Sequence, residues 1–212
     1  MSRFAIVLCL SFMSVFLIVL SVRAESPTSS LSIKTGYFIP RIDGWSDHFD
    51  EKGVWFGGLE LGWKLTRRFE LSLNLDYSQT KGKATTPTGR ASADEATFQQ
   101  VPVYASLLYR FIFYEDQPIV PYIGGGFTHQ FYRQRLDGDK VSGDQDGYHL
   151  RGGLQLLLDY VDPGTAGDFF SEWKVFNTYL TIEAIYSKVD DFGGRDVDLG
   201  GWGYVGGLLF EY

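Results

Sequence analysis

Phe69-Glu70-Leu71-Ser72-Leu73-Asn74-Leu75-Asp76-Tyr77-Ser78-Gln79 sorts its side chains by parity. Phe69, Leu71, Leu73, Leu75 and Tyr77 fall on one side, and Glu70, Ser72, Asn74, Asp76 and Ser78 on the other. A helix cannot separate these residues onto two faces, because its side chains repeat every 3.6 residues, whereas a strand alternates at every residue. The stretch is therefore a β-strand with one apolar and one polar face.

The same division recurs along the chain in segments of roughly ten residues, parted by Gly-, Asp- and Pro-rich turns. In Val54 to Leu65, the residues Trp55, Leu59, Leu61, Trp63 and Leu65 alternate with Phe56, Gly58, Glu60, Gly62 and Lys64. In Val101 to Phe111, Val103, Ala105, Leu107, Tyr109 and Phe111 stand against Pro102, Tyr104, Ser106, Leu108 and Arg110. Thr178 to Ser187 opposes Leu180, Ile182, Ala184 and Tyr186 to Thr181, Glu183, Ile185 and Ser187. The final segment opposes Trp202, Tyr204, Leu208, Phe210 and Tyr212 to Val205, Leu209 and Glu211. Leu31 to Ile39 puts Lys34 on its polar face, and Tyr148 to Tyr160 puts His149, Arg151, Gln155 and Asp159 there. Ile119 to Gln134 is blurred by Gly124-Gly125-Gly126, which reads as a bulge, a sharp bend or a place where neighbours need room. Eight strands result, and the expected fold is all-β, an eight-stranded antiparallel up-and-down transmembrane barrel.

Short connections at Thr66-Arg67-Arg68 and Tyr114 to Pro118 alternate with longer polar ones at Pro40 to Gly53, Thr80 to Glu95, Arg135 to Asp146 and Val189 to Asp198. Membrane barrels alternate in this way, with short turns on the periplasmic side and longer loops outside. Val161 to Phe176 breaks the pattern. After Asp162-Pro163-Gly164 it offers Asp168 as an N-cap and then Phe169, Phe170, Trp173 and Phe176, so a short amphipathic helix at the inner membrane boundary is expected between strands 6 and 7, with an extended hairpin as the alternative.

The chain opens with Ser2 and Arg3, an apolar run from Phe4 to Val22, and Val22-Arg23-Ala24. This is the pattern of a secretory signal peptide, so residues 1 to 24 are expected to be removed and Glu25 to begin a single barrel domain running to Tyr212. Loss of Arg3 and Arg23 takes the formal charge from −7 to −9. The one cysteine, Cys9, leaves with that segment, so no disulfide or thiolate metal site is expected afterwards. An acidic chain without a Lys/Arg cluster argues against nucleic acid, whose phosphates need concentrated positive charge. After Glu25 no segment approaches twenty consecutive apolar residues, which excludes helical spans but not strands.

Aromatic girdles should flank an apolar band about 25 Å tall. Trp202 and Tyr212 lie ten residues apart on one strand, which at roughly 3.3 Å per residue and a tilt near 40° spans about 25 Å. Trp55 to Trp63 and Phe69 to Tyr77 each span roughly 20 Å by the same arithmetic. On the last strand Tyr204 joins Trp202 in one belt, and Phe210 joins Tyr212 in the other. With its export segment, eight alternating strands and a last strand, Gly203 to Tyr212, that ends on an aromatic, the chain resembles the small outer-membrane barrels of the OmpA, OmpX and OmpW type. That resemblance implies that Leu208, Phe210 and Tyr212 form the signal read by the barrel-assembly machinery, that the surroundings are outer-membrane lipid and lipopolysaccharide, and that the barrel is a monomer. It carries over no catalytic residue and no cofactor.

If the leucine-rich faces meet lipid, the opposite faces bring Lys34, Lys64, Arg110 and Arg151 into a narrow lumen with Glu60, Glu70, Asp76, Asp159, Glu183 and Glu211. Charges buried there must pair or hydrogen-bond. The expected site is a lumen network of Lys34, Glu60, Lys64, Asp76, Arg110, Arg151 and Glu183 that closes the barrel in a structural or surface-interaction protein. The alternative is that Glu60, Lys64, Arg110, Arg151 and Glu183 switch open a small-solute channel. A lipid A-modifying enzyme is a third reading, for which His48, His129 and His149 are the bases to consider. A hydroxyl nucleophile needs such a base in reach and a third group to orient it. The spacing supplies no such set, so no enzyme is expected. Asp137, Asp139, Asp144 and Asp146 depart from the spacing of a calcium loop and read as a solvated acidic loop. A soluble ligand-binding barrel would share the strand count but reverse the faces.

Overall fold

The computed structural model describes residues 27–42, 44–49, 51–85, 91–136 and 139–212. The expected export segment with Cys9, the expected new terminus at Glu25, and Asp137 lie outside these residues, and so do the side chains of His48 and Asp139.

Eight strands follow one another around a closed antiparallel barrel: β1 (Ser29–Pro40), β2 (Val54–Lys64), β3 (Phe69–Thr85), β4 (Ala91–Arg110), β5 (Ile119–Leu136), β6 (Asp139–Leu157), β7 (Asn177–Val189) and β8 (Gly201–Glu211). Closure is made by β1 against β8, from Ser30↔Glu211 to Pro40↔Gly201, so the sheet has no free first or last strand. The start of β1 and the finish of β8 therefore share one end of the barrel, the turn end, and the opposite end is the loop end. At the turn end the Thr66 hydroxyl accepts from the backbone N–H groups of Arg68 and Phe69. The Gln117 amide ties the β4–β5 turn by donating to the carbonyls of Phe111 and Ile119 and accepting from Phe113 N–H.

Alternation sorts the side chains as parity predicts. In β3, Phe69, Leu71 and Tyr77 are exposed while Glu70, Ser72, Asn74, Asp76 and Ser78 are buried inside. In β8, Trp202, Tyr204 and Leu208 face out, and Val205, Leu209 and Glu211 face in. The ambiguous β5 keeps an unbroken register against both neighbours, so its glycines mark no bulge. They mark close approach. A Cβ on Gly126 would strike the carbonyl of Ala105, and one on Gly124 would lie 2.7 Å from the carbonyl oxygen of Leu107 as well as against the Leu108 side chain.

Two of the expected loops are strand instead. β3 and β4 stay paired past Gln79↔Gln99 to Thr85↔Ala91, with one register shift between Lys83 and Thr85. β5 and β6 stay paired through Arg135↔Lys140 to Leu136↔Asp139. Polar residues cannot enter hydrocarbon, but they pair in a ladder as readily as apolar ones, so the strands outgrow the apolar band. Strands β3 to β6 have 17 to 20 residues where β1, β2, β7 and β8 have 11 to 13, and one flank of the wall is therefore taller.

The other two loops carry short helical pieces. Helix α1 (Trp45–Phe49) folds over the inner side of the tall flank, where Trp45 and Phe49 bury themselves against Ala96, Phe98 and Tyr132. Ring centroids lie 4.3 Å apart for Trp45–Phe49 and 5.6 Å for Trp45–Phe98. The β7–β8 connection contains a 3-10 turn at Asp191–Gly193, and its Asp191 carboxylate accepts the backbone N–H of Asp146. That bond, followed by the Arg195 guanidinium, holds the Asp191 carboxyl below its ordinary value.

Helix α2 (Pro163–Trp173) lies between β6 and β7 at the turn end. It starts six residues earlier than an Asp168 cap would allow. Asp162 is the N-cap, accepting from Thr165 N–H at 3.1 Å and from its hydroxyl at 2.7 Å, and Pro163 fits the first helical position where no N–H is needed. Those two bonds hold the Asp162 carboxyl below its ordinary value. Phe170 and Trp173 remain exposed on this helix. Asp159 also departs from expectation. Strand β6 ends at Leu157, and Asp159 sits in a following 3-10 turn, where it accepts the backbone N–H of Thr178 instead of entering the lumen.

Gly126→Val should lower the stability of the folded barrel by about 1–3 kcal/mol or more, because the added carbons meet backbone that cannot turn aside. Urea unfolding in lipid vesicles, followed by tryptophan emission, measures the loss.

Candidate functional site

The lumen is filled in layers. Below the α1 aromatics, toward the turn end, lies an apolar layer of Phe38, Val54, Phe56, Ile185 and Val205. Sequence parity puts Phe56 and Ile185 on the inner face without distinguishing them from the charged residues there. The next layer is ionic. Arg151 of β6 stands between two carboxylates, donating from Nη1 to Glu60 of β2 and from Nε and Nη2 to Glu183 of β7, each at 2.5 Å. Lys34 of β1 completes the ring at 2.9 Å from Glu60 and 3.6 Å from Glu183. The Tyr122 hydroxyl adds a bond to Glu183 at 2.6 Å. The four charged side chains are at most 5 % exposed, so water cannot stand in for any of them.

A second ionic layer lies nearer the turn end. Glu211 of β8 receives Lys64 at 2.5 Å, Arg110 at 2.7 Å and the Asn177 amide at 2.7 Å. Glu70 lies 3.9 Å from Arg110 and takes the Ser30 hydroxyl at 2.6 Å. The Arg110 guanidinium also faces the Tyr179 ring at 5.6 Å, beside the apolar residues Val120, Leu157 and Leu209. The seven lumen residues expected from the sequence are thus divided between two assemblies. Lys34, Glu60, Arg151 and Glu183 form one, while Lys64 and Arg110 belong to the other with Glu70 and Glu211. Each holds two cations and two anions. Asp76 is the residue left over, bonded to the Asn74 amide at 2.9 Å and in no ion pair among the described residues.

Sequence reasoning misses the neutral partners. Tyr122 lies on β5, whose glycines hide its parity, and Ser30 and Asn177 sit at strand starts just outside the alternating segments. The α1 lid is missed as well, although Trp45 and Phe49 are four apart and so share one helical side.

The histidines separate. His149 is 1 % exposed, with Nε2 at 2.8 Å from the Ser106 hydroxyl and Nδ1 at 3.0 Å from that of Thr128. Both ring nitrogens are engaged inside the wall, and the ring meets Tyr104 edge-on at 5.0 Å. His129 faces outward with Nδ1 at 2.6 Å from Asp146, and its ring meets Phe131 edge-on at 4.5 Å. Asp144 and Asp146, read as part of a loop, are paired residues of β6. No group of three metal-type ligands occurs among the described residues.

On the outer surface the expected girdle residues lie in two belts. Toward the loop end are Trp55, Tyr77, Trp202 and Tyr204, joined by Tyr37 and Tyr186, with Tyr37–Trp55 centroids 5.4 Å apart and Tyr186–Trp202 5.1 Å apart. Toward the turn end are Trp63, Phe69, Phe210 and Tyr212, and Phe69 meets Tyr109 at 5.1 Å. Leu59, Leu71, Ile33, Leu208, Ile182 and Leu150 are exposed between the belts.

Open space inside is confined. Between the apolar layer and the Gln100–Gln130 amide pair a cavity of about 10 Å³ is lined by Asp76, Ser78, Tyr104, Phe38 and Phe56. That is room for about one water. At the turn end a vestibule of about 700 Å³ is bordered by Lys64, Arg110, Glu211, Asn177 and Tyr179.

Residues 5–200 match the family described as the outer membrane protein beta-barrel domain. Among solved structures, neisserial surface protein A from Neisseria is similar at 13 % identity, covering 87 % of this chain and 97 % of that one with a TM-score of 0.56. The attachment invasion locus protein Ail of Yersinia pestis, in complex with the heparin analogue sucrose octasulfate, is similar at 18 % identity, 87 % and 99 % coverage and a TM-score of 0.53. At these identities the likeness is one of fold. No curated protein matches the chain.

Arg151→Met leaves Glu60 and Glu183 facing each other with only Lys34 between them, and stranded buried charges of this kind cost about 3–5 kcal/mol. Unfolding midpoints in urea should fall accordingly for the single variant and recover in part when Glu183→Gln is added.

Proposed function

This chain belongs to the outer membrane protein β-barrel domain family, and from that premise we propose that it is a closed barrel serving as a structural or surface-interaction protein of the outer membrane. The observation that carries the reading is the pair of ionic layers. Arg151 bridges opposite walls between Glu60 and Glu183, and Arg110 does so between Glu70 and Glu211, so an ion moving along the axis would have to displace a satisfied charge twice. Removing one partner from such a pair is costly, which favours the shut arrangement. The cavity of about 10 Å³ above and the α1 aromatics over the mouth favour it further. The tall β3–β6 flank supports a role in surface contact, since it offers a rigid ladder beyond the apolar band.

In this reading the loop end faces outward and the turn end faces the periplasm, with the exposed Phe170 and Trp173 of α2 resting on the inner boundary of the membrane. The last strand with Leu208, Phe210 and Tyr212 serves as the assembly signal, and the barrel is a monomer. The reading is non-enzymatic. The burial of His149 between two hydroxyls supports this, as does the place of Phe131 two residues beyond His129 on the same outer face. The alternative, a narrow channel for small solutes, draws on the vestibule that reaches Arg110 from the turn end.

Planar-bilayer recording on the purified barrel separates the two. Silence in the native protein, with small conductance steps appearing when Arg151 and Arg110 are together replaced by alanine, is the expected outcome. Steady steps from the native barrel that vanish in Glu183→Ala would favour the channel.

A further inference from the structure

The outer face of the tall flank is ordered in transverse rows. Register places His129 opposite Val103 and Asp146, and two residues farther toward the loop end it places Phe131 opposite Val101 and Asp144. Next come Gln79, Gln99, Arg133 and Ser142, and then Lys81, Thr97, Arg135 and Lys140. The amide row is knit together: Gln99 Nε2 donates to Gln79 Oε1 at 2.8 Å, and the Tyr77 hydroxyl donates to the same oxygen at 2.9 Å. Going outward, a lipid molecule beside this wall would meet aliphatic and aromatic side chains flanked on β6 by Asp146 and Asp144, then amides with Arg133 beside them, then cations. That is the order in which a leaflet presents hydrocarbon, glycerol or sugar, and phosphate.

Distance agrees with the order. Two residues of a tilted strand advance about 5 Å along the axis, so Arg133 stands about 5 Å and Arg135 about 10 Å above Phe131. A headgroup layer is about 5–8 Å deep on each side.

The charges also ask for a partner. Arg135 and Lys140 lie directly opposite each other across the β5–β6 ladder, an arrangement that repels unless an anion joins it. Arg133, Arg135 and Lys140 are exposed and make no ion pair among the described residues. Three cations of the short flank are spoken for. Arg41 binds Asp198 at 2.7 Å and lies over Tyr186, Lys188 binds Asp190 at 3.1 Å, and Arg195 binds Asp191 at 2.7 Å. Asp144, the nearest acid below, faces Phe131 one row beneath Arg133 without forming an ion pair to it, and Asp146, a row farther down, is already bonded to His129.

We propose that Arg133, Arg135 and Lys140, above the Tyr77–Gln79–Gln99 cluster, form a one-sided binding site for the phosphate groups of a glycolipid in the outer leaflet. This rests on the reading that the loop end faces outward. Phosphate satisfies the Arg135–Lys140 pair from outside, and guanidinium groups bind it through paired N–H donors. The short flank, where Arg41, Lys188 and Arg195 are internally neutralised, takes ordinary lipid, so the barrel carries bound glycolipid on one side only.

Native mass spectrometry of the full barrel, released from nanodiscs of phosphatidylcholine doped with diphosphoryl lipid A, tests the site. The native protein should retain lipid A in a salt-sensitive manner, and R133Q/R135Q/K140Q should lower retention roughly 10- to 100-fold, each surface cation contributing about tenfold or less. R41Q/K188Q, on the short flank, should retain lipid A as the native protein does. Equal retention by the triple variant, or equal retention of lipid A stripped of phosphate, overturns the proposal. So does binding of soluble sucrose octasulfate with no retention of lipid A. Heat-shifted gel mobility verifies that each variant is folded, and bilayer recordings on the same samples report the closed lumen independently, so loss of one reading is distinguishable from loss of the other.

Discussion

Hydrocarbon offers no hydrogen-bond partner to a peptide group, and the pairing of β1 with β8 is what allows this chain to exist in such surroundings. Once the sheet must close, its strand number sets an interior that side chains alone can fill. The inner face of each strand is then committed to packing or to charge pairing, and the outer face to lipid. The remaining features of the barrel each meet one of those two demands.

The ionic layers meet the first. Burying four cations and four acids carries a desolvation cost that hydrophobic side chains of similar size would avoid, so these groups are not there merely to stabilise. What they add is definition. Arg151 reaches Glu60 and Glu183 only when β2, β6 and β7 stand at one rotation and one shear, whereas leucines would tolerate neighbouring arrangements. The apolar layer of Phe38, Val54, Phe56, Ile185 and Val205 supplies volume beside them. The outer face meets the second demand with two aromatic belts and leaves the surplus strand length of β3 to β6 beyond the apolar band.

Much of this is legible in the residues. Period-two alternation in Phe69 to Gln79 and Val54 to Leu65 yields both the strands and their faces, because lipid on one side and a narrow lumen on the other enforce it strictly. The charged members of the lumen follow from parity alone. Their grouping does not, since which cation meets which acid depends on the stagger between strands, and a single sequence carries no record of stagger. Strand ends are legible only where polarity and pairing end together. In β3 to β6 polarity begins well before pairing stops, so ladders at Thr80 to Glu95 and Arg135 to Asp146 look like loops. The α2 boundary differs for another reason: Asp162 and Asp168 are both adequate caps in isolation, and Pro163 decides between them.

Membership of the two ionic layers has a bearing on biosynthesis. The first draws on β1, β2, β6 and β7, and the second on β2, β3, β4 and β8, so each contains residues translated near the beginning and near the end of the barrel. A chain cut short before β8 would present Lys64 and Arg110 with only Glu70 between them, and would lack the strand that seals β1. Incomplete products thus differ from finished ones in net charge at the core as well as in shape.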